Sequence, residues 1–116
     1  MISTEEVCLF VQQEIPEISP SLPPEGGLYP TLNVVREYAC DKARERNYPL
    51  LRKCFSLAAT LYEKGNNGVR CAVENVFVYA MSRILSMAPE DRQEIKRLMP
   101  RSLQALYTAQ VHHHGY

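Results

Sequence analysis

The run Gly65-Asn66-Asn67-Gly68, followed by the segment 69–87, constrains this chain more than any other part of it. The run marks a helix stop and a tight turn, and the segment is a long helix that is apolar on most of its circumference. Val69, Val73, Val76, Phe77, Ala80 and Ile84 recur at helical spacing, and Val76-Phe77-Val78-Tyr79-Ala80-Met81 is unbroken by a charge. A helix apolar nearly all round must be enclosed by other helices or by lipid. Arg70, Glu74, Asn75 and Arg83 interrupt it, and its longest uncharged stretch, 75–82, is far short of the ~20 residues that a membrane span needs. The segment is therefore expected to be the central helix of a bundle outside the membrane. Asn67 is its expected N-cap.

The other elements follow from proline and cap chemistry. Proline is favoured at the first helical position, where its missing N–H is no loss. Pro30, Pro49, Pro89 and Pro100 each precede an amphipathic run. They place helices over 30–46, 49–64, 89–99 and 100–111. A further helix over 4–15 is announced by Ser3 and Glu6, which are spaced as a capping box. The stripe Leu51, Cys54, Phe55, Ala58, Leu61 and Tyr62 gives the third helix one apolar face. Gly65 is expected as its left-handed C-terminal residue. Pro16, Pro20, Pro23, Pro24 and Gly26-Gly27 are expected to exclude regular structure from 16–27. The expected organisation is one all-α domain over 1–116, a compact bundle of five or six helices, with a proline-rich connection at 16–29 and a frayed tail at 112–116. HEAT-like helical hairpins fit the same pattern as a shape analogy.

At 116 residues, 46% of them hydrophobic, the chain is long enough to bury a core without staples. Its 13 basic and 13 acidic residues cancel, so no net field points to nucleic acid or a membrane. The charges are segregated, however. Residues 1–30 hold five glutamates and no Lys or Arg, whereas residues 31–70 hold eight basic residues against four acidic ones, a net of +4. Either the acidic arm lies over the basic middle in cis, or the middle presents a basic ridge to a partner. Cys8, Cys40, Cys54 and Cys71 form no CxxC pair, so zinc and thioredoxin-like readings lack support. Free thiols and the lack of a signal-like start indicate a reducing, cytoplasmic setting.

No catalytic, cofactor or metal motif stands out. His112, His113 and His114 are successive, and on a helix they diverge by about 100° each, so they do not converge on one ion. All three histidines lie in the last five residues, which leaves a Ser or Cys nucleophile without a positioned base. Glu90-Asp91 is explained as a solvated helix start. The expectation is a protein that is not an enzyme and takes no cofactor.

Two candidate interaction surfaces emerge. Arg44, Arg46, Arg52 and Lys53 gather round the turn between the second and third helices, with Tyr48 among them. Such a cluster suits phosphates and a stacked base. Interleaved Asp41 and Glu45 and a pI near 6.8 argue against nucleic acid. Leu103, Leu106 and Tyr107 on the last helix, with Phe10 and Val11, either close the core of a monomer or form the shared face of a homodimer. Tyr29, Tyr48 and Tyr116 fall at helix edges, and tyrosine is enriched at protein interfaces.

The segments Leu61-Tyr62-Glu63-Lys64-Gly65-Asn66 and Val73-Glu74-Asn75-Val76-Phe77-Val78, with Leu98-Met99-Pro100-Arg101-Ser102-Leu103 and Leu106-Tyr107, resemble a family of small, uncharacterised all-helical bacterial proteins. Some members of that family look like immunity proteins encoded beside toxins. The resemblance spans about 30–111 and carries no catalytic residues. It implies a helical fold and, for an immunity-like member, a stoichiometric binder that blocks a partner protein. A protein–protein interaction module is thus the first expectation, with nucleic-acid or anionic-ligand binding at the basic turn as the alternative.

Overall fold

The computed structural model describes residues 1–113. Six α-helices follow one another: α1 (Val7–Glu14), α2 (Leu28–Arg44), α3 (Tyr48–Lys64), α4 (Asn67–Met87), α5 (Arg92–Leu98) and α6 (Arg101–His113). Short 3₁₀ turns at Thr4–Glu6, Pro16–Ser21 and Pro89–Asp91 join them. Among the described residues the one extended pairing is an isolated bridge between Ile2 and Gly65. The molecule measures 37 × 30 × 18 Å; its thin dimension is about two helix diameters. The all-α bundle is as expected, and the His113 end of α6 reaches into the tail expected to fray, whose remainder lies outside the described residues.

The long helix α4 packs against α2, α3, α5 and α6, most extensively against α2. Val69, Val73, Val76, Phe77, Ala80, Met81, Ile84 and Leu85 are buried along it. It is not enclosed on every side. Cys71, Asn75, Tyr79, Ser82 and Ser86 form an exposed stripe at helical spacing. Cysteine and tyrosine count as apolar in composition, which hides this stripe from a hydropathy reading. α2 and α3, of 17 residues each, fold back on one another. α4 and α5, of 21 and 7 residues, are unequal.

Several local expectations shift. α2 begins two residues before Pro30, which sits in the first turn, where N–H groups have no intrahelical acceptor anyway. The N-cap of α4 is Asn66 rather than Asn67; its Oδ1 accepts the Val69 N–H at 3.0 Å. Gly65 is extended (φ −78°, ψ 159°) rather than left-handed. Space demands it instead: a Cβ there would lie 2.4 Å from the Leu61 carbonyl oxygen and 2.5 Å from Val69 Cγ1. The segment after Pro16 is a 3₁₀ helix with Ile18 buried beneath it, because i→i+3 bonding survives prolines that would break an α-helix. Ser3 donates its N–H to Glu6 Oε1 at 2.9 Å, the backward half of the expected capping box. That bond holds the Glu6 carboxyl below its usual pKa.

Candidate interaction surfaces

The turn between α2 and α3 closes as a Schellman motif. The Asn47 N–H bonds the Lys42 carbonyl at 2.9 Å and the Arg46 N–H bonds Ala43 at 3.1 Å. The left-handed position, where glycine is usual, is taken by Arg46 at φ 58°, a conformation that costs an L-residue roughly 1–2 kcal/mol. Asn47 then caps α3 by accepting the Leu50 N–H at 3.3 Å.

This geometry aims Arg46 and Tyr48 at the 3₁₀ turn Pro89–Asp91. Arg46 Nη2 lies 2.9 Å from Glu90 Oε1, and its Nε lies 3.7 Å from Asp91 Oδ2. The Tyr48 hydroxyl donates to Asp91 Oδ2 at 2.5 Å. That bond, with partial burial, pushes the Tyr48 phenol up to about 12. Glu90-Asp91, expected as a solvated helix start, is thus a docking point for the basic turn. Arg44 pairs with Asp41, and Lys42 with Glu45 at 3.1 Å. Arg52 and Lys53 are exposed and, among the described residues, stand in no ion pair. Lys53 borders a shallow hollow of about 80 Å³ with Glu14, Ser56 and Thr60. The structure therefore divides the sequence cluster into a self-neutralised latch (Arg44, Arg46, Tyr48) and two outlying cations.

The acidic N-terminal arm is not held over the basic middle by ion pairs; none of its glutamates makes one among the described residues. Its anchor is backbone and apolar packing. Ile2 N–H bonds the Lys64 carbonyl at 2.7 Å, and Asn66 N–H bonds the Ile2 carbonyl at 2.9 Å, while Val7, Val11, Ile15 and Ile18 enter the core.

Leu103 and Leu106 are buried in the core of the single chain, and Tyr107 packs half-buried against it. Val11 is buried and Phe10 is half-buried. α1 and α6 both lean on α3. These residues close the monomer core, so Leu103 and Leu106 offer little free surface for a shared face.

A cleft of about 340 Å³ lies between the Pro16–Ser21 turn and α2, with Glu17, Glu37, Tyr38 and Asp41 in its walls. Its acidity is mostly compensated. Glu37 is paired with Arg36 at 3.2 Å and Arg83 at 3.5 Å, and Asp41 with Arg44. The Tyr38 hydroxyl is sealed from solvent and has no hydrogen-bond partner among the described residues. Burial, and then the neighbouring Glu17 carboxylate, raises its pKa strongly. Lys42 lies over its ring at 4.9 Å from the centroid.

All four cysteines are free. Burial pushes the Cys54 thiol up to about 12 and raises that of Cys40, so both are small core hydrophobes rather than nucleophiles. Among the described residues no group of three His, Cys, Asp or Glu side chains is placed to hold a metal ion, and no helix is long and apolar enough to cross a membrane. Of the histidine run, His114 lies outside the described residues.

A further surface is foreshadowed in the sequence by the edge tyrosine Tyr29 alone. Tyr79 is 70% exposed on the outward stripe of α4, and Tyr29, at the start of α2, is 45% exposed. The Tyr29 hydroxyl accepts a hydrogen bond from Asn75 Nδ2 at 3.2 Å, which ties the two helices at this face. The signal was the spacing of Cys71, Asn75, Tyr79, Ser82 and Ser86.

No curated protein and no solved structure matches the chain. Residues 8–114, which include nearly every element that builds these surfaces, match the family described as a domain of unknown function, DUF7674, and the chain belongs to that family.

Proposed function

We propose that this chain is a non-enzymatic protein-binding module of the bacterial cytoplasm, which docks stoichiometrically on a partner protein in the manner of an immunity protein. The observation that carries the reading is the outward face of α4. It offers a 70% exposed tyrosine beside a second one already held by Asn75, on a stripe of Cys71, Ser82 and Ser86 with Arg83 as its flanking charge. Tyrosine-rich, charge-poor patches with hydrogen-bonding capacity are the composition of interface cores. A tyrosine with two side-chain torsions also loses little entropy on docking.

The test is affinity capture from the native host with the wild type and with Tyr79→Ala. The expected result is a single partner at one-to-one stoichiometry, whose affinity falls at least about tenfold in the variant, the scale of an interface hot spot. Failure to capture a stoichiometric partner, or capture with unchanged affinity in the variant, defeats the reading. Nucleic-acid or anionic-ligand binding at the α2–α3 turn is the weaker alternative, because Arg44 and Arg46 are already engaged by Asp41, Glu90 and Asp91. Anisotropy titrations with DNA and RNA at about 50 mM salt, where phosphate contacts contribute most, would reveal it.

A further inference from the structure

Two surfaces of the molecule carry an excess of opposite charge, although Lys53 stands beside Glu14 at the edge of the first. The first is the N-terminal layer. Glu5, Glu6, Glu14, Glu17 and Glu25 stand there with no Lys or Arg among residues 1–30. The second is the elbow where α5 meets α6, with Arg92, Lys96, Arg97 and Arg101 against Glu94 and the Glu63 carboxylate, which accepts the Ser102 hydroxyl at 2.7 Å. Among the described residues no member of either set makes an ion pair; of the other Lys and Arg, Arg36, Lys42, Arg44, Arg46 and Arg83 do, and Arg52, Lys53, Lys64 and Arg70 do not.

Each surface also has an apolar centre. The N-terminal layer holds a groove of about 120 Å³ lined by Ile2, Glu6, Leu9, Phe10 and Gln13, and Leu9 is 57% exposed. The elbow carries Leu98 and Tyr107, both half-buried. An apolar centre with a charged rim is the anatomy of a protein interface, and the two rims are opposite in sign.

The acidic layer is fixed in place on its own chain. It is stitched to the α3–α4 corner by the Ile2 backbone bonds to Lys64 and Asn66, and its helix α1 packs on α2 and α3 while α5 packs on α3 and α4. Among the described residues the layer and the elbow make no ion pair with each other, so each is open to a complement from another molecule. We propose that the acidic N-terminal layer of one copy docks on the basic α5–α6 elbow of a second, reciprocally, in a two-fold pair. Reciprocity makes the same layer–elbow contact twice and closes the assembly, as two-fold symmetry requires. The pairing is independent of the α4 face assigned to a foreign partner.

Sedimentation equilibrium on the full chain tests this, at about 50 mM and about 500 mM salt, which bracket weak and strong screening of exposed charges. At low salt the mass should rise with concentration to twice 13.3 kDa, and at high salt it should fall back. Lys96→Glu with Arg97→Glu should stay monomeric at low salt, as should Glu5→Lys with Glu14→Lys. An equimolar mixture of the two variants should recover the doubled mass, because each then offers the other a complementary pair of surfaces. Recovery on mixing also shows that both variants are folded. A wild type that stays monomeric at low salt over a hundredfold concentration range overturns the proposal. So does a doubled mass that is insensitive to salt and persists in both variants, since another face must then hold the pair.

Discussion

The two corners that flank α3 are built on different principles. At the α2–α3 corner an arginine occupies a left-handed position at φ 58°, and its guanidinium, with the Tyr48 hydroxyl, reaches over to Glu90 and Asp91. Side-chain chemistry closes that corner, and most of it is near solvent. At the α3–α4 corner the backbone of Ile2 inserts beside Gly65, whose missing Cβ leaves space against Leu61 and Val69. Backbone bonding and steric exclusion close that one, in the core. The first corner should tolerate change because exposed ion pairs are weak. The second should not, because close-packed interiors do not yield by an ångström.

The scale for any breakage here is set by the core both corners close upon. Phe77→Ala should cost ~3–5 kcal/mol through the cavity it leaves, measured by urea unfolding; a near-zero cost would show that α4 is not central. Gly65→Ala should come next, at ~3 kcal/mol, because the clash is with a backbone oxygen that cannot rotate away. A loss below about 1 kcal/mol would place that corner among ordinary surface positions and dissolve the contrast.

At the other corner, Tyr48→Phe removes a hydrogen bond to a carboxylate and should cost ~1–2 kcal/mol at neutral pH. The same variant sharpens the comparison through pH. Folding holds the Tyr48 proton up to about 12, whereas an unfolded tyrosine loses it near 10. The folded state therefore binds more protons in that window, and stability must fall as pH rises through it. Wild type and Tyr48→Phe should converge between about pH 10 and 12; a gap that stays constant would mean Asp91 is not the partner. Smallest of all should be Arg46→Gly. Relief of the left-handed residue and loss of an exposed ion pair oppose each other at roughly 1 kcal/mol each, for a net change within about 0.5 kcal/mol. Arg46→Ala, which loses the pair without the relief, should be the worse of the two.

Much of this contrast was invisible in the sequence for a definite reason. Arg44, Arg46, Tyr48, Arg52 and Lys53 are neighbours along the chain, and helical spacing alone puts them near one turn. Glu90 and Asp91, the partners of Arg46 and Tyr48, are more than forty residues away, so the neutralisation of Arg46 is a long-range fact. The same distance in sequence concealed the Asn75–Tyr29 contact and with it the aromatic face of α4. Leu103 and Leu106 were legible as apolar and inward-facing at helical spacing. Periodicity says which face of a helix is apolar, not whether its own chain or another copy covers it.

What the sequence determined by itself is what depends on nearest neighbours along the chain. Apolar periods of 3.6 residues, prolines at helix starts and asparagines before them set the all-α class and the helix boundaries to within about three residues. Tertiary structure alone decided which charges are paired, which tyrosines face outward and why residue 65 is glycine. Those depend on what lies across the gap between helices, and there the governing quantities are ångströms of free space and the presence of a counter-charge, neither of which a local pattern encodes.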